Sequence, residues 1–442
     1  MLRNKTITPL HACDGVCVFA KNSREQSVQI VIVSDFGEVN GGAAKVAVTS
    51  ARGLAEAGSS VTYVCAIAPV SPLLDHPRIA VRCLDFDSVW TQRNPLTAAM
   101  QGIWHGRART ALESILSGLA THDTIVHFHQ WTKALSPSVL AAPALRGLPS
   151  VVSLHDYFFV CPNGAYYNYA KARPCDVAPM SASCVIAQCD RHGVMHKAVR
   201  TLRQSGTSRA TARAGASLSV LNVSPFAAQV TDRFIATEHA RFVVPSPIEI
   251  EAGPAVAVAD NESFLFAGRL TEEKGVRLLA EVARDAALSL TIAGDGPLLK
   301  ALQQIGGRVN CTDWLDAHAL NAAMRKSRAL VFPSTWYETG GLVVLEALAQ
   351  GIPVIVSRNT AAAAFVEDGV NGYVVDPGDA QALRDSMLKL ADKERASRMG
   401  AAAYRRYWAD PQTIAVHTER LLFVYRTIMA EHRTRMSAMG HA

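Results

Sequence analysis

The stretch SFLFAGRLTEEKGVRLLAEVARDAALSLTIAGDGP, residues 263–297, indicates the fold. It contains two short apolar runs, 263–267 and 288–293, separated by a segment of helical length. Such a unit is typical of a parallel sheet whose strands are joined by helices lying on its faces. Glycine and charged residues follow each run, and open α/β sheets bind ligands outside the carboxyl ends of their strands. The stretch therefore predicts both a fold class and the place of a binding site.

The same alternation of apolar runs and helical segments occurs twice along the chain. In the first half, the predicted strands are residues 28–34, 61–66, 79–83, 124–128, 150–154 and 217–223. In the second half, they are residues 263–267, 288–293, 329–332, 353–356 and 372–375. Residues 244–260 carry three prolines and a glycine and predict a linker. We therefore expect two Rossmann-like, doubly wound α/β domains facing each other across a cleft, residues 1–247 and 248–442, with a C-terminal helix that packs back.

The composition is that of a folded globular protein. Hydrophobic residues make up 49% and charged residues 19% of the 442 positions, which excludes collagen-like and broadly disordered chains. The net charge of +6 is too small for a dedicated nucleic-acid binder. No apolar run approaches the roughly 20 residues of a membrane-spanning helix, and His11 and Asp14 interrupt the N-terminal stretch before a signal sequence forms. We therefore expect a cytoplasmic protein.

Two glycine-containing loops precede predicted helices. Asn40-Gly41-Gly42 follows the first strand, and Gly340-Gly341 precedes a helical run that begins at Leu342. Backbone amides at a helix N-terminus favour a phosphate, so both loops are candidates for anion binding. For Gly42, an ordinary turn between strand and helix is an equally good interpretation. The first loop also lacks the G-x-G-x-x-G pattern, which disfavours a dinucleotide cofactor.

Charged residues lie in the predicted cleft of the second domain. Arg269 and Lys274 follow its first strand, where a guanidinium and an ammonium can neutralise a diphosphate; the alternative is surface pairing with neighbouring glutamates. Glu338 and Glu346 flank the start of the helix after Gly341. A carboxylate accepts hydrogen bonds from a vicinal diol, which a sugar or a ribose provides. For Glu338, simple complementarity to the helix dipole is the alternative.

These motifs together resemble a known family. The sequence contains Gly268-Arg269-Leu270, Glu273-Lys274-Gly275, Ala293-Gly294-Asp295-Gly296-Pro297, Glu338 and Glu346 separated by seven residues, Gly351-Ile352-Pro353-Val354-Ile355, and Glu367-Asp368-Gly369 with Asn371-Gly372. This series is similar to family 4, or group 1, glycosyltransferases of the GT-B type. The resemblance implies that Arg269 and Lys274 bind the donor diphosphate, Glu338 the transferred sugar and Glu346 the nucleotide ribose. It also implies retention of anomeric configuration and no required metal or cofactor.

Histidines end two predicted strands of the first domain. His127 and His129 point to the same face of a strand, but two histidines without a third ligand favour a packed core over a metal site. His155-Asp156 resembles the His-Asp pair of the family, which implies that His155 contacts the donor sugar. Asp156 then orients that histidine or binds the acceptor. A structural histidine at the strand end is the alternative.

Two further patterns are open to interpretation. An insertion after Asp156 carries four cysteines, and it predicts either a structural metal site or free thiols in a loop facing the acceptor; the four are Cys161, Cys175, Cys184 and Cys189. Asp85-Phe86-Asp87 matches the D-x-D motif of metal-dependent glycosyltransferases with a different fold. Three residues are a weak match far from the other motifs, so we interpret this segment as a loop.

The sequence as a whole predicts a glycosyltransferase. Its donor is expected to be a nucleoside-diphosphate sugar, and its acceptor a glycan or lipid-linked molecule in polysaccharide or glycoconjugate biosynthesis. The basic charge balance is consistent with peripheral contact at the cytoplasmic face of a membrane. A sugar-nucleotide epimerase of the same fold and a catalytically silent module remain alternatives.

Overall fold

The computed structural model describes residues 28–120 and 122–439. The N-terminal stretch with His11 and Asp14, in which we expect no signal sequence, lies outside the described residues. Two separate parallel sheets, one in each half of the chain, confirm the predicted α/β class with two Rossmann-like units.

The first sheet has seven parallel strands. The strands of this half are β1 (Gln29–Phe36), β2 (Ser60–Ile67), β3 (Ile79–Cys83), β4 (Thr124–Phe128), β5 (Ser150–Leu154), β6 (Tyr167–Asn168), β7 (Arg173–Pro174), β8 (Leu218–Asn222) and β9 (Arg241–Val243). Their order in the sheet is β3-β2-β1-β4-β5-β8-β9, whereas β6 and β7 form a separate antiparallel pair. The central strands are buried on both faces, as expected for a sheet covered by helices.

The second sheet has six parallel strands. They are β10 (Ser263–Ala267), β11 (Leu290–Ala293), β12 (Val309–Thr312), β13 (Ser327–Phe332), β14 (Val354–Ser357) and β15 (Gly372–Val375). Their order is β12-β11-β10-β13-β14-β15. In both sheets the strand order reverses beside the first strand, and this is where open α/β sheets form their binding crevice.

Helices connect and cover the strands. They are α1 (Gly42–Glu56), α2 (Pro95–Ile103), α3 (Gly106–Ser117), α4 (Ala142–Leu145), α5 (Ala182–Ile186), α6 (Val194–Ala214), α7 (Pro225–Thr231), α8 (Val276–Asp285), α9 (Leu299–Gln303), α10 (Ala317–Arg325), α11 (Leu342–Ala349), α12 (Ala380–Ala391), α13 (Lys393–Ala409) and α14 (Ile414–Met439).

The edge strands β9 and β12 were not predicted from the sequence. Each has three or four residues, and most of their side chains are partly or fully exposed. An edge strand buries little surface, so it lacks the continuous apolar run by which the inner strands were predicted. Every other strand of the two parallel sheets overlaps a predicted one.

Helix α14 lies against the first sheet. Its Leu421, Tyr425 and Ile428 are buried in one cluster with residues of β1 and α1. Gly53 of α1 permits this close approach, because a Cβ at that position would come within 2.8 Å of the Ile414 side chain. The chain therefore crosses back after the second sheet. The division at residues 247 and 248 stays a prediction.

The carboxyl ends of the two sheets face each other. Thr339, which follows β13, donates a hydrogen bond of 2.8 Å to the carbonyl oxygen of His155, which follows β5. Loops that follow the strands of both sheets thus meet in one cleft. Within residues 28–120 and 122–439, no helix is both long enough and apolar enough to cross a bilayer.

Candidate active site

A left-handed glycine fixes the loop after β10. Gly275 has φ 68°, and a Cβ at this position would collide with the carbonyl oxygen of Pro333. Glycine enters this conformation without strain, so the loop after β10 can press against the loop after β13. The preceding residue, Lys274, consequently lies beside the segment that carries Glu338.

Glu338 is held through one of its two carboxylate oxygens. Lys274 Nζ pairs with Oε2, Trp336 Nε1 donates to it at 2.7 Å, and Ser334 Oγ donates at 3.5 Å. The Glu338 side chain is 14% exposed. Within the described part of the chain, Oε1 makes no hydrogen bond. A carboxylate fixed at one oxygen and open at the other can accept a hydrogen bond from a ligand hydroxyl.

Glu346 is bound from the opposite domain. Lys45 in the first turns of α1 donates through Nζ to Glu346 Oε1 at 2.9 Å. The two side chains are 26% and 13% exposed, so the pair is only partly hydrated. Sequence analysis placed Glu346 in the site but did not identify Lys45, because the contact depends on how the two domains meet.

The N-termini of two helices face the same space. Gly42 begins α1 and Gly341 caps α11, and a Cβ on Gly42 would come within 3.8 Å of the Leu342 side chain. A Cβ on Gly340 would meet no atom within 4 Å, so the approach to α11 is open. Unpaired backbone amides and the positive ends of both helix dipoles therefore converge on one place that suits an anion.

Arg269 stands apart from the other predicted donor residues. Its side chain is exposed, and it forms no hydrogen bond or ion pair within the described part of the chain. The predicted alternative, pairing with neighbouring glutamates, does not occur; Glu272 instead pairs with Arg277 at 3.0 Å. A free guanidinium at the carboxyl end of β10 remains available to an anionic ligand.

The histidines at the ends of β4 and β5 form a buried group. His127 binds the Tyr425 hydroxyl at 2.6 Å and the Ser153 hydroxyl at 2.8 Å, which agrees with the predicted core role. His129 Nδ1 lies 3.0 Å from His155 Nε2. Burial lowers the pKa of His155 to about 3, so its imidazole is neutral at pH 7. A neutral imidazole can exchange hydrogen bonds with hydroxyl groups.

Asp156 does not orient His155 through its side chain. Its Oδ1 accepts a hydrogen bond of 2.9 Å from the backbone amide of Phe158. Burial raises the pKa of Asp156, while nearby Lys133 and Arg203 act in the opposite direction. The His155 ring instead contacts His129, and the contact of Asp156 with the acceptor stays a prediction.

Thr339 joins the two domains between the predicted glutamates. Besides its bond to His155, its carbonyl oxygen accepts a hydrogen bond of 2.8 Å from Ser224 Oγ. Tyr167 and Thr335 exchange a further hydroxyl bond of 3.3 Å across the same interface. Sequence reasoning missed these residues, since isolated hydroxyl side chains carry no pattern that distinguishes them from ordinary surface residues.

The cysteine insertion contains free thiols. Cys184 and Cys189 lie beside Lys197, whose buried ammonium donates to their sulfurs at 3.8 and 3.2 Å. Cys161 is also buried, and burial raises the pKa of its thiol to about 12. In the described ranges, no group of three or more histidine, cysteine or acidic residues is placed to hold a metal ion. The choice between a structural metal site and free thiols stays a prediction.

Comparison with known proteins finds a family match in the second half of the chain. Residues 250–406, which include Arg269, Lys274, Glu338 and Glu346, match the family model of group 1 glycosyl transferases. The second half of the chain is thus similar to the group 1 glycosyl transferases. The match covers the predicted motif series in the second half of the chain. The finer assignment to family 4 stays a prediction.

Curated proteins that are similar to this chain transfer sugars, according to their names. The alpha-D-kanosaminyltransferase of Streptomyces kanamyceticus is 26% identical over 295 residues, which cover 62% of this chain and 72% of that protein. The phosphatidyl-myo-inositol mannosyltransferase of Mycobacterium leprae is 32% identical over 182 residues, covering 38% of this chain and 47% of that protein.

A solved structure shows the same fold. Alr3699/HepE of Anabaena, crystallised with UDP, superimposes with a TM-score of 0.64 over 90% of this chain and all of its own chain. The sequence identity is 16%, so the similarity establishes the GT-B architecture alone. The two sheets and the cleft between them therefore have the GT-B architecture.

Proposed function

We propose that this glycosyltransferase moves a hexosyl group from a nucleoside-diphosphate sugar to a glycan or lipid-linked acceptor, with retention of anomeric configuration. The observation that carries the proposal is the pair of lysine-bound carboxylates, Lys274 with Glu338 and Lys45 with Glu346, on either side of the α11 N-terminus. Nucleotide-sugar donors are supported by the UDP held in the Anabaena structure.

The diphosphate is assigned to the meeting point of the two helix N-termini. Amides near Gly42 and Gly341 would approach its oxygens, and Arg269 lies exposed at the rim. Lys274 has three ammonium protons, so it can hold Glu338 with one and bind a phosphate oxygen with another. As the bond between sugar and phosphate breaks, negative charge grows on the diphosphate, and these groups stabilise it.

The transferred sugar is assigned to the space between Glu338 and His155. Glu338 Oε1 would accept a hydrogen bond from a sugar hydroxyl, because Oε2 is already occupied by three donors. His155 is neutral and carries no charge that would repel a cationic sugar at the transition state. This arrangement suits a reaction in which positive charge develops on the sugar ring.

The ribose is assigned to Glu346. In the ligand-free cleft, the carboxylate is paired with Lys45 through Oε1 alone. A ribose diol would donate hydrogen bonds to Oε2 of Glu346, or would replace Lys45 at Oε1. In the second case Lys45 becomes free to approach the diphosphate. Lys45 thus links nucleotide binding to the contact between the two domains.

We further propose that transfer needs no metal ion. In this proposal, positive charge for the leaving group is supplied by Arg269, Lys274 and the two helix N-termini. The test is activity in excess EDTA after removal of bound metals by dialysis. Retained turnover supports the proposal, and a loss that Mg²⁺ reverses would contradict it.

An exposed apolar surface supports peripheral contact with a membrane. It lies on the neighbouring helices α2 and α6 and consists of Leu96, Met100, Met195 and Leu202, each more than half exposed. Arg209 and Arg213 line a groove beside Leu202. Apolar side chains next to cationic ones match the interface of an anionic bilayer.

Sedimentation with vesicles tests this contact. We expect the chain to sediment with phosphatidylglycerol vesicles and not with phosphatidylcholine vesicles. Replacing Leu202 by Glu should abolish sedimentation, whereas replacing the exposed Leu388 of α12, on the other domain, should leave it unchanged. Equal sedimentation of both variants would contradict the assignment of this surface.

A donor screen tests the proposed reaction directly. Thermal shift with a panel of UDP-, GDP-, ADP- and TDP-sugars should identify a stabilising donor. Product analysis with that donor then distinguishes the outcomes. Transfer to an added glycan or lipid supports the proposal. Conversion of the donor into an epimer without acceptor would show an epimerase, and no binding of any nucleotide would indicate a silent module.

A further inference from the structure

A second cavity lies on the first domain, away from the candidate donor site. Its volume is about 420 Å³, and it opens between the loop after β3, helix α2 and the start of α3. The lining side chains that matter are Asp85, Phe86, Asp87, Trp104, His105 and Arg107. The loop includes the D-x-D segment that sequence analysis interpreted as an ordinary connection.

Backbone contacts fix the shape of this cavity. The buried Gln101 donates through Nε2 to the carbonyl oxygen of Asp87 at 2.8 Å. Gln92 in turn donates to Gln101 Oε1 at 3.0 Å. The backbone amide of Val89 donates to the carbonyl oxygen of Lys133 at 2.8 Å. Because the loop is tied to its neighbours at several points, little ordering would be needed for a ligand to bind.

Several polar groups of the cavity are available to a ligand. The carboxylates of Asp85 and Asp87 form no hydrogen bond or ion pair within the described ranges, and both residues are exposed. Arg107 is not paired with either; its guanidinium lies 5.6 Å from the Phe86 ring centre. The charged side chains of Asp85, Asp87 and Arg107 therefore form no ion pair with one another, and each can contact a ligand.

His105 adds a hydrogen-bond acceptor. Its Nδ1 lies 2.8 Å from the carbonyl oxygen of Ala134. A carbonyl oxygen only accepts, so Nδ1 carries the proton and Nε2 of the neutral ring keeps its lone pair. Burial lowers the pKa of His105, which keeps the ring neutral at pH 7.

This set of groups matches the chemistry of a sugar. Ring hydroxyls can donate to the two carboxylates and to His105 and accept from Arg107. The exposed part of Trp104, which is 37% accessible, offers a flat surface for the apolar face of a pyranose. A bare metal ion is a poorer match, since no group of three metal-ligating residues occurs in the part of the chain that the structure describes.

The cavity lies at the same edge of the sheet as the candidate active site. Strand β3 is two strands from β1 on one side, and β5 is two strands from β1 on the other. At about 4.8 Å per strand, the ends of β3 and β5 are roughly 20 Å apart along this edge. An extended oligosaccharide of a few units would span that distance.

We propose that this cavity, lined by Asp85, Asp87, Trp104 and Arg107, binds a hexose unit of the acceptor glycan at a distance from the transferred sugar. The proposal rests on the proposed function, because it assigns the site to the acceptor of that reaction. It makes the acceptor an oligosaccharide or a lipid-linked oligosaccharide whose inner sugars lie in the cavity while its end reaches His155.

Saturation-transfer NMR tests the site without knowledge of the true acceptor. The probes are the methyl α-glycosides of mannose, glucose and galactose, each at millimolar concentration with the full chain. We expect saturation transfer to at least one glycoside. The Asp87→Asn and Trp104→Ala variants should reduce it at least fivefold. The matched control Asp75→Asn, an exposed aspartate outside the cavity, should leave it unchanged.

The proposal is overturned if no glycoside receives saturation, or if the two cavity variants match the wild type. Calorimetry with UDP and GDP keeps this result separate from the proposed function. Binding of a nucleoside diphosphate without glycoside binding would contradict the proposed acceptor site and leave the proposed transfer reaction in place. Glycoside binding that depends on Asp87, in a chain that binds none of the UDP-, GDP-, ADP- and TDP-sugars, would leave a sugar site and contradict the proposed transfer reaction.

Discussion

Lys45 and Glu346 form an ion pair of 2.9 Å between the first helices after β1 and β13. The Lys45 side chain is 26% exposed and that of Glu346 13% exposed, so most of the pair is shielded from water. The pair connects the domains at the place where the nucleotide is proposed to bind, so nucleotide affinity and domain contact depend on the same carboxylate.

Replacing Glu346 by Gln should weaken the binding of the free nucleoside diphosphate. A hydrogen bond to a charged group contributes roughly 1.5–3 kcal/mol, which corresponds to about a 10- to 150-fold loss of affinity. Calorimetry with UDP or GDP measures this loss. The exposed Glu419→Gln of α14 is the matched control and should bind normally. Unchanged affinity in Glu346→Gln would contradict the ribose assignment.

Replacing Glu338 by Gln should lower turnover while nucleoside diphosphate affinity stays nearly unchanged. Glu338 is assigned to the sugar only, and a contact that strengthens as the sugar becomes cationic affects mainly the rate. We expect roughly a 10²- to 10³-fold fall in kcat, the usual cost of removing one group that stabilises the transition state. An equal loss of diphosphate affinity in the Glu338 and Glu346 variants would show that the two carboxylates do not have separate roles.

Replacing Arg269 or Lys274 by Ala should lower turnover by roughly 10²- to 10³-fold, because either change removes positive charge from beside the leaving diphosphate. Arg269 is exposed and unpaired in the described ranges, so its loss should leave the melting temperature unchanged. Lys274 also binds Glu338, and its loss should lower stability measurably. Steady-state kinetics and thermal melts, with Lys300→Ala as an exposed control, measure both effects. Near-normal turnover in both variants would contradict the assignment of Arg269 and Lys274 to the donor diphosphate.

Stability should fall as the pH is lowered from about 6.5 to 4. Burial lowers the pKa of His417 to about 4 and that of His155 to about 3, and His127 and His129 shift in the same direction. Over this range the unfolded chain binds protons that the folded chain does not, so acid favours unfolding. Each such histidine contributes up to roughly 1.4 kcal/mol per pH unit.

The variant His417→Gln tests this pH dependence. Glutamine can keep a hydrogen bond to Ser50 or Pro245 but does not titrate. Its unfolding free energy, measured by urea titration at several pH values, should decline less steeply below pH 6.5 than that of the wild type. The exposed His318→Gln should behave as the wild type. Parallel curves for His417→Gln and the wild type would contradict the assigned cause.

Residues that act through local sequence were predictable. Gly275 and Gly341 have positive φ, and the motifs around them were recognised because a turn or a helix start is determined by neighbouring residues. Lys274 and Glu338 were predicted for the same cleft because both follow strands of one parallel sheet. Their direct pairing was not predicted, since it depends on the side chains of Trp336 and Ser334 as well.

Contacts between the domains could not be predicted. Lys45, Ser224 and Thr339 are ordinary residues in the sequence, and their roles arise from the relative position of two sheets. The same applies to Lys197, which lies in a helix after the cysteine insertion and reaches two sulfurs from there. Edge strands β9 and β12 were missed because they bury too little surface to show an apolar pattern.

The return of α14 to the first sheet limits how this enzyme can be recombined with its relatives. The hydroxyl of Tyr425 in α14 shares a hydrogen bond with the buried His127 of the first sheet. Leu421 and Ile428 of the same helix pack into the hydrophobic core beside it. A chimaera that exchanged everything after residue 247 would replace part of that core with a foreign helix. An exchange of the second sheet that preserves this core therefore requires a second junction before Ile414, so that the second unit is inserted between two pieces of the first.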